Sequence, residues 1–503
     1  MALSLASILG EAAARHNGKT ALIAGSERIS YGRLWEESRR YGARLRAMGV
    51  GPGDRVALLI ANTPDFPRAY YGALAIGAVV VPVHALLTPG EIAYVLEDAG
   101  VKVLICAGAL IAAGRAGAEL AGVRVYEAAL PDDPPIEALV QRDPSDDAVV
   151  LYTSGTTGKS KGAVLSQNNL IWNATIAVKD LFNGTVDDVF LACLPLFHSF
   201  GQTCVMNAAF RVGATIVMMP RFEAAAALDL MIEHAVTIFT GVPTMYIALL
   251  EAAKLRPERP PLRVGHSGGS SLPLAVLEAW EKAYGATIYE GYGLSETSPV
   301  ASFNQDEFGR KPGTVGRGIW GVDLEIARAE IEDRIELLPA GELGEIVIRG
   351  HAVFKGYLNN PEATRAAIVD GWFRSGDLGT KDEDGFITIL DRKKDMILRG
   401  GYNVYPREVE EVLMRHPGVK AVAVIGIPHV THGEEVVAVI VADGDVESSE
   451  ETIIAWSQEH LARHKYPRHV QYVEAMPLGP SGKVLKRELR DQLRDQLKER
   501  ASR

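Results

Sequence analysis

The sequence predicts an α/β protein of at least two domains, in which helices cover both faces of parallel sheets. The first observation is length, because a chain of 503 residues, 47% of them hydrophobic, is too long to fold around a single core. The second is an alternation of apolar, strand-like runs with helical patterns from about residue 30 onward. Strands separated by helices of this length pair in parallel, because the helical crossovers must lie on the faces of the sheet.

The first 300 residues carry this alternation. The N-terminal apolar stretch lacks a basic region and is interrupted at Glu11, which favours an amphipathic first helix over a signal peptide. The apolar run from Ala73 to Val83 is too short to cross a bilayer, so no transmembrane segment is predicted. It is expected to be the end of a helix, a turn and a buried strand. Helices are predicted at 32–48, 64–76, 90–99 and 223–234, and strands at 56–60, 79–83, 101–105, 214–219 and 236–240.

The sequence pattern changes after about residue 310, where the alternation of helices and strands ends. Glycines and acidic turns separate hairpin-like strands at 344–348 and 386–390, which predicts a smaller, β-barrel-like subdomain. The charged run Asp391–Asp395 follows and is a suitable joint between domains. The remaining predicted elements are strands at 421–427, 435–442 and 470–474 and a helix at 450–463. They form a small α+β domain, so we divide the chain into an N-terminal domain, 1–393, and a C-terminal domain, 394–503.

Charge and cysteine content argue against several classes of function. The net charge of −11 disfavours a nucleic-acid partner, because surfaces that bind phosphate backbones are basic. Cys106, Cys193 and Cys204 have no CxxC spacing and are odd in number, so neither a disulfide framework nor a zinc site is predicted. We expect buried, reduced thiols and a cytoplasmic location.

The segment Thr153–Gly162, T-S-G-T-T-G-K-S-K-G, is the most informative part of the chain. Glycines let backbone N–H groups converge on one point, hydroxyls add donors and lysines add positive charge, which together suit a polyphosphate. The common phosphate loop, G-x-x-x-x-G-K-[ST], requires a glycine where this chain has Thr153. The segment follows the apolar run 148–151 and should leave a buried strand. It predicts a phosphate-binding loop of another type, with a plain surface loop as the alternative.

A second group of polar residues, Tyr289–Glu296, ends a predicted strand. An aromatic ring can stack on a purine, glycines allow close approach of the backbone, and a carboxylate suits Mg²⁺. A solvated turn is the alternative for this segment taken alone. Two single residues stand out further along the chain. Asp377 lies in a tight turn and, taken alone, is typical of a capping residue. Lys483 follows Ser-Gly and, taken alone, is typical of a solvated surface charge.

Together these motifs resemble those of the adenylate-forming superfamily, which contains acyl-coenzyme A synthetases, aryl ligases, peptide synthetase adenylation domains and firefly luciferase. The decade at 153–162 is similar to the signature T-S-G-[ST]-T-G-x-P-K-G and departs from it only at Ser160, which replaces proline. Four further runs resemble family motifs in the same order: Y-G-L-S-E (292–296), G-W-F-R-S-G-D-L-G (371–379), D-R-K-K-D (391–395) and P-L-G-P-S-G-K (477–483). The resemblance covers nearly the whole chain, and it is closest to bacterial fatty-acyl-coenzyme A ligases.

The resemblance implies that the chain binds ATP and Mg²⁺. Tyr292 is implied to stack on adenine and Ser295 to contact the α-phosphate. Glu296 is implied to hold Mg²⁺ together with Thr153. The other residues implied to border the nucleotide are Ser154, Gly155, Thr156, Thr157, Gly158 and Lys161 in the first loop, Gly269, Ser270, Glu290, Gly291 and Gly293 at the base, and Asp377 and Arg392 at the ribose.

The resemblance also implies two half-reactions and a mobile C-terminal domain. A carboxylate attacks the α-phosphorus of ATP to give acyl-AMP and pyrophosphate, and the thiol of coenzyme A then displaces AMP. Lys483 is implied to be the catalytic lysine that reaches the α-phosphate and the substrate carboxylate. Lys394 matches the hinge position, and the loop containing Gly400 and Gly401 is implied to move in and line the thiol tunnel.

Two departures from malonate-activating relatives narrow the range of carboxylic acids that are expected as substrates. Ala248 and Gly291 stand where those relatives have arginines, so a dicarboxylate would bury an unpaired charge. The expected pocket wall, 197–201 and 242–245, is apolar and aromatic, with His198 implied at the gate and a core histidine as the alternative. We predict a neutral monocarboxylic acid, fatty or aryl. Gly291 has no side chain to close the pocket floor, which favours an extended fatty chain.

Other possibilities stay open at this point. The acyl group could pass to an amine or a carrier-protein thiol instead of coenzyme A, and an inactive nucleotide-binding scaffold is a more distant alternative. The basic C-terminal stretch 483–503 has leucines at four-residue spacing and could contact an anionic membrane, although docking of those leucines on the C-terminal domain is favoured. Neither the chain length of the acid nor the oligomeric state is predicted.

Overall fold

A computed structural model of the protein describes residues 4–153, 159–429, 431–444, 448–479 and 483–501, with side chains up to residue 493 in the last helix. The helices are α1 (Ser7–Arg15), α2 (Tyr31–Ala47), α3 (Asp65–Ala75), α4 (Pro89–Asp98), α5 (Ile111–Ala121), α6 (Gln167–Ile176), α7 (Ala208–Val212), α8 (Ala224–Glu233), α9 (Pro243–Lys254), α10 (Leu274–Tyr284), α11 (Pro361–Ala367), α12 (Pro406–Leu413), α13 (Glu450–His460) and α14 (Lys486–Ala501).

The strands of the N-terminal part are β1 (Thr20–Ala24), β2 (Glu27–Ser30), β3 (Arg55–Leu59), β4 (Val79–Pro82), β5 (Val101–Cys106), β6 (Arg124–Glu127), β7 (Asp147–Thr153), β8 (Lys161–Ser166), β9 (Val189–Ala192), β10 (Thr215–Met218), β11 (Ile238–Gly241), β12 (Val264–Ser267), β13 (Thr287–Gly293), β14 (Val300–Phe303) and β15 (Arg317–Gly318). The remaining strands are β16 (Val322–Ala327), β17 (Gly344–Gly350), β18 (Gly356–Tyr357), β19 (Ile368–Val369), β20 (Trp372–Lys381), β21 (Ile387–Arg392), β22 (Ile397–Arg399), β23 (Tyr402–Val404), β24 (Val419–His429), β25 (Gly433–Ala442) and β26 (His469–Tyr472).

Two large sheets form the N-terminal part, as the alternating pattern predicts. One has seven strands in the order β18-β8-β7-β4-β3-β5-β6, and β7, β4, β3, β5 and β6 pair in parallel. The other has nine strands in the order β15-β14-β13-β12-β11-β9-β10-β1-β2, with parallel pairing from β13 to β1. The predicted helices and strands of this part are confirmed to within two residues.

Local sequence explains where these helices begin. Helix α4 starts with a capping box, in which the Thr88 hydroxyl accepts from the backbone of Glu91 while the Glu91 carboxylate accepts from the backbone of Thr88. Pro89 stands at the first helical position, where its missing N–H has no helical partner to lose. Ser30 caps α2 by accepting from the backbone N–H of Arg33. These caps fix the start of the helices that cover the sheets.

The predicted β-rich subdomain is an antiparallel sheet of five strands, β16-β17-β20-β19, with β21 paired to β20. Its strands β20 and β21 carry two of the predicted site residues, because Asp377 and Arg392 are opposite each other in the register of this pair. The sheet therefore brings both side chains to the same position.

The C-terminal part is a mixed sheet, β23-β22-β25-β24 with β26 beside β25, between helices on its two faces. Strands β24 and β25 alternate their apolar residues between two clusters, as expected for a sheet covered on both sides. Val424 and Val436 pack in the cluster on one face, and Ile425 and Val437 in the cluster on the other. Helix α13 ends at His460, three residues before the predicted end, because Leu461 adopts an extended conformation.

The C-terminal helix packs on this sheet. Leu489 and Leu493 of α14 are buried in the same cluster as Ile425 and Val437, so the expected docking of the leucines is confirmed for these two positions. Within the described residues, no helix combines the length and the apolar character needed to span a bilayer. The three cysteines are buried and unpaired, as predicted.

Candidate active site

A cleft of about 2930 Å³ lies where the ends of strands from the two large sheets meet the β-rich subdomain and the C-terminal part. Strand β7 delivers Thr153 to it, and β12 leads into the small-residue loop 268–271. Residues after the carboxyl ends of parallel strands are the usual positions for ligand contacts in α/β proteins. The predicted site residues that line this cleft are Thr153, Lys161, His198, Gly269, Ser270, Gly291, Tyr292, Gly293, Ser295, Glu296, Asp377, Arg392, Lys394 and Lys483.

Five predicted residues of the first loop lie outside the described residues: Ser154, Gly155, Thr156, Thr157 and Gly158. Gly400 and Gly401 are exposed on the loop between β22 and β23 and are not among the residues that line the cleft. The movement of this loop toward the cleft stays a prediction.

Glu290 is placed differently from the prediction, because its side chain does not line the cleft. Its Oε1 atom accepts a hydrogen bond from the backbone N–H of Leu272 at 3.2 Å, and its Oε2 atom has no hydrogen-bond partner among the described residues. Burial raises the pKa of this carboxyl to about 7, with the nearby Arg407 opposing the shift. Glu290 therefore supports the loop that follows β12, and any contact with a nucleotide would have to come through its backbone.

An oxygen-rich cluster lies at the end of β7. The Thr153 Oγ1 atom is 3.4 Å from Glu296 Oε1, and the hydroxyl of Tyr357 donates to the same carboxylate oxygen at 2.9 Å. Lys161 places its ammonium 5.2 Å from the centre of the Tyr357 ring. Carboxylate and hydroxyl oxygens are the donors that Mg²⁺ prefers, so the residues present fit that ion. Sequence reasoning missed Tyr357, which lies on the two-residue strand β18 and carries no periodic signal.

A second cluster connects β13 with the β-rich sheet. The Tyr292 hydroxyl donates to Asp377 Oδ2 at 2.6 Å, and Arg392 Nε pairs with Asp377 Oδ1 at 3.1 Å. Burial, and then the Asp377 carboxylate, raise the pKa of Tyr292 well above its usual range. The phenol therefore stays protonated and remains a donor. Asp377 is buried, while the Arg392 side chain is 46% exposed and lines the cleft.

The C-terminal part contributes Lys483 to the cleft. Its Cε atom lies 3.3 Å from the position that a Cβ on Gly269 would occupy. Burial lowers the pKa of Lys483 to about 8, and the charge of Arg392 adds to this shift, while Asp377 and Glu296 oppose it. Among the ion pairs of the described residues, none includes Lys483. A desolvated ammonium facing Asp377 and Glu296 is suited to an anionic ligand. Lys394 also lines the cleft, and burial lowers its pKa as well.

The apolar end of the cleft contains His198 and several phenylalanines. Burial lowers the pKa of His198 to about 3, so the ring is neutral, and its Nδ1 atom accepts from the backbone N–H of Phe200. A Cβ on Gly291 would lie 2.4 Å from Phe303 Cδ2. The expectation that Gly291 leaves the pocket floor open is therefore wrong, because the ring of Phe303 fills the space left by the missing side chain.

Helix α9 forms another wall of this end. Thr244, Ile247, Ala248 and Glu251 all line the cleft and are half-buried. They repeat at helical spacing on one face, and the rise from the first to the last is about 10 Å. On this wall the apolar side chains of Ile247 and Ala248 lie between the polar Thr244 and Glu251.

Comparison with known proteins gives two family-model matches. A family model described as AMP-binding enzyme matches residues 9–358, and one described as AMP-binding enzyme C-terminal domain matches residues 408–483. The chain belongs to the AMP-binding enzyme family. It is thus an acyl-coenzyme A ligase of the adenylate-forming superfamily, as the motifs indicate.

Similar AMP-binding enzymes extend over almost the same length. The long-chain-fatty-acid–CoA ligase of Bacillus subtilis is 33% identical over 97% of this chain and 94% of its own. The feruloyl-CoA synthase of Amycolatopsis sp is 37% identical over 94% of this chain and 95% of its own. The crystal structure of ATP-bound MatB from Rhodopseudomonas palustris superposes with a TM-score of 0.89 at 33% identity, covering 98% of this chain and 99% of that one. The mixed α/β fold with a large N-terminal and a small C-terminal domain is confirmed by such structures.

Proposed function

We propose that this AMP-binding enzyme activates a neutral monocarboxylic acid, with a fatty acid as the first candidate, and transfers it to coenzyme A. The observation that carries the proposal is the placement of the Lys483 side chain next to Gly269 in the cleft, where its charge interacts with those of Asp377 and Glu296. A cation delivered from the C-terminal part into a cleft with hydroxyl and carboxylate groups is the arrangement expected for phosphoryl chemistry at a carboxylate.

The first half-reaction makes the carboxylate into an acylating agent. A carboxylate oxygen attacks the α-phosphorus of ATP, the bond from that phosphorus to the bridging oxygen breaks, and pyrophosphate leaves with the electron pair. Lys483 would neutralise the charge shared by the α-phosphate and the carboxylate. Tyr292 would stack on adenine, and Asp377 with Arg392 would hold the ribose. Catalysis of such reactions consists almost entirely of positioning and electrostatic stabilisation.

Mg²⁺ would be held by Glu296 and Thr153. The ion supplies charge neutralisation to the polyphosphate when it is bound. The chain's own contribution is to orient the Glu296 carboxylate, and the Tyr357 hydroxyl bonded to it at 2.9 Å is suited to that task.

The second half-reaction transfers the acyl group. The thiolate of coenzyme A would attack the acyl carbon of acyl-AMP, and AMP would leave with the electron pair of the broken C–O bond. Rotation about Lys394, with Gly400 and Gly401 moving toward the cleft, remains our prediction for this step. The division of the chain at residue 394 remains a prediction in the same way.

The shape of the apolar end supports a fatty acid. The strip that runs from Thr244 past Ile247 and Ala248 to Glu251 offers about 10 Å of helix length, which suits an extended alkyl chain. Ala248 also supplies no cation for a second carboxylate. An aryl acid is the second candidate, and it is favoured by the rings of Phe200 and Phe303 at the pocket and by the similarity to a feruloyl-CoA synthase. The unpaired, buried cysteines are in keeping with the cytoplasm.

One experiment tests the reaction and its acceptor. The protein is incubated with ATP, Mg²⁺ and one of octanoate, palmitate, benzoate or malonate, with and without coenzyme A. We expect acyl-AMP and pyrophosphate without coenzyme A, acyl-CoA and AMP with it, and no turnover of malonate. Pyrophosphate release with acyl-AMP but no thioester would exclude coenzyme A and point to an amine or carrier-protein thiol. Absence of acid-dependent pyrophosphate exchange with every acid would instead favour a nucleotide-binding scaffold.

A further inference from the structure

Ser160 is the one departure from the superfamily signature in the first loop, and its position in the structure is defined. The ladder between β7 and β8 pairs Thr153 with Lys161, so Ser160 is the last residue before the chain enters β8. Proline at this point would fix one backbone dihedral angle. Serine does not, so some other group has to hold the backbone at the start of β8.

Tyr94 of helix α4 contacts the backbone at this point. Its hydroxyl donates a hydrogen bond to the Ser160 carbonyl oxygen at 2.9 Å. The ammonium of the preceding residue, Lys159, lies 4.9 Å from the centre of the Tyr94 ring, within the range of a cation–π interaction. Tyr94 thus contacts two consecutive residues at the exit of the loop, one through its hydroxyl and one through its face.

The same helix also contacts the strand that enters the loop. The ring of Tyr152, in β7, packs edge-on against Tyr94 with centroids 6.4 Å apart. The Tyr152 hydroxyl donates to Asp98 Oδ2 at 2.6 Å. Asp98 follows Tyr94 by four residues, so both lie on one face of α4. Tyr94, Tyr152, Lys159 and Ser160 all line the cleft. The capping box that starts α4 gives this face a fixed position.

We propose that Tyr94 is a positioning residue for the triphosphate of ATP, and that its contact with Ser160 takes over the role of the missing proline. The inference rests on the proposed function, because it requires ATP in the cleft. Tyr94 would act through the backbone, by holding the pair of Thr153 and Lys161 in register at the start of β8. It would not touch the reacting atoms.

The test measures the affinity of the whole protein for Mg·ATP by calorimetry, which needs neither an acid nor an acceptor. The variants are Tyr94→Phe, Ser160→Pro and the double variant. Tyr94→Phe removes one neutral hydrogen bond and should weaken Mg·ATP binding about fivefold. In the Tyr94→Phe background, Ser160→Pro should restore most of this loss, and its effect there should exceed its effect in the wild-type protein.

Tyr126→Phe is the matched control. The Tyr126 hydroxyl also donates to a backbone carbonyl, that of Ala129 at 2.7 Å, but Tyr126 does not line the cleft. Tyr126→Phe should leave the Kd for Mg·ATP unchanged. Tyr94→Phe and Tyr126→Phe should both melt close to the wild-type temperature.

Two results would overturn the inference. One is wild-type affinity in Tyr94→Phe. The other is a Ser160→Pro effect that is equal in both backgrounds, since that would make Tyr94 a structural residue without a link to Ser160. Failure of the wild-type protein itself to bind Mg·ATP would refute the proposed function instead.

Discussion

The side chain of Lys483, from the C-terminal part, occupies the space that a side chain on Gly269, in the loop after β12, would need. The lysine Cε atom lies 3.3 Å from the position of a Cβ on Gly269, and the glycine has a φ of +83°. A side chain at residue 269 would therefore be strained and would press on the lysine. The absence of a side chain at residue 269 leaves space for the Lys483 side chain, whose charge interacts with those of Asp377 and Glu296.

Loss of that cation should affect one half-reaction far more than the other. Lys483→Ala should lower the rate of acid-dependent pyrophosphate exchange by about 10²- to 10³-fold, the loss seen when one preorganised stabilising group is removed. Conversion of synthetic acyl-AMP and coenzyme A to thioester should be retained, because the lysine is proposed to leave the cleft first. Lys465→Ala is the control, since Lys465 pairs with Glu408 at 2.7 Å outside the cleft. Equal loss in both half-reactions would contradict the assigned role.

The pKa of Lys483 predicts the alkaline limit of adenylation. Burial lowers this pKa to about 8, so the ammonium is present below that pH and is lost as the pH rises through it. The value of kcat/KM for ATP reports groups of the free enzyme and should fall above pH 8 with one apparent pKa near that value. In Lys483→Arg, kcat/KM should no longer fall between pH 8 and about pH 10, because a guanidinium stays protonated. If kcat/KM of this variant still falls above pH 8, the titrating group is not Lys483.

Tyr357 should set the concentration of Mg²⁺ that the enzyme needs. Tyr357→Phe removes the 2.9 Å hydrogen bond to Glu296 and leaves that carboxylate free to turn. Because such supporting bonds orient metal ligands, the Mg²⁺ concentration for half-maximal adenylation should rise about tenfold. Tyr289→Phe is a matched control that removes a tyrosine–carboxylate bond, to Asp306 at 2.5 Å, outside the cleft. A similar Mg²⁺ dependence in both variants would contradict the prediction.

The sequence predicted the positions of helices and strands well because caps, glycines and apolar periodicity are local signals. It also predicted that Asp377 and Arg392 belong to one site, because both lie in recognisable motifs, and the structure brings the two side chains together. Tyr357 could not be found in this way, since its relation to Glu296 depends on the pairing of β18 with β8 across nearly 200 residues. Tyr94 was missed for the same reason. The prediction for the Glu290 side chain failed for a different reason. A motif gives the order of residues but not which atoms of each residue face the cleft.

The wall formed by α9 should decide how long an acid the enzyme accepts. Ala248→Trp places an indole on the strip that we assign to the alkyl chain. The ratio of kcat/KM for octanoate to that for butanoate should fall by about tenfold or more, within the range expected for a few lost methylene contacts. Ala252→Trp is the control on the same helix, because Ala252 does not line the cleft. If octanoate and butanoate lose activity equally in Ala248→Trp, the chain does not follow α9.

The C-terminal helix should stabilise the domain that carries Lys483 rather than bind a membrane. Leu489 is 1% exposed and packs in the cluster with Ile425 and Val437. Leu489→Ala should therefore lower the free energy of unfolding of the C-terminal part by about 2–5 kcal/mol, the usual cost of truncating a buried leucine. Leu398→Ala is the control, because that side chain is 53% exposed on β22 of the same sheet and should change stability by less than about 1 kcal/mol. The measurement is calorimetric unfolding, followed by flotation with vesicles that contain an anionic lipid. Unchanged unfolding together with lost flotation of Leu489→Ala would show that the helix serves the membrane instead.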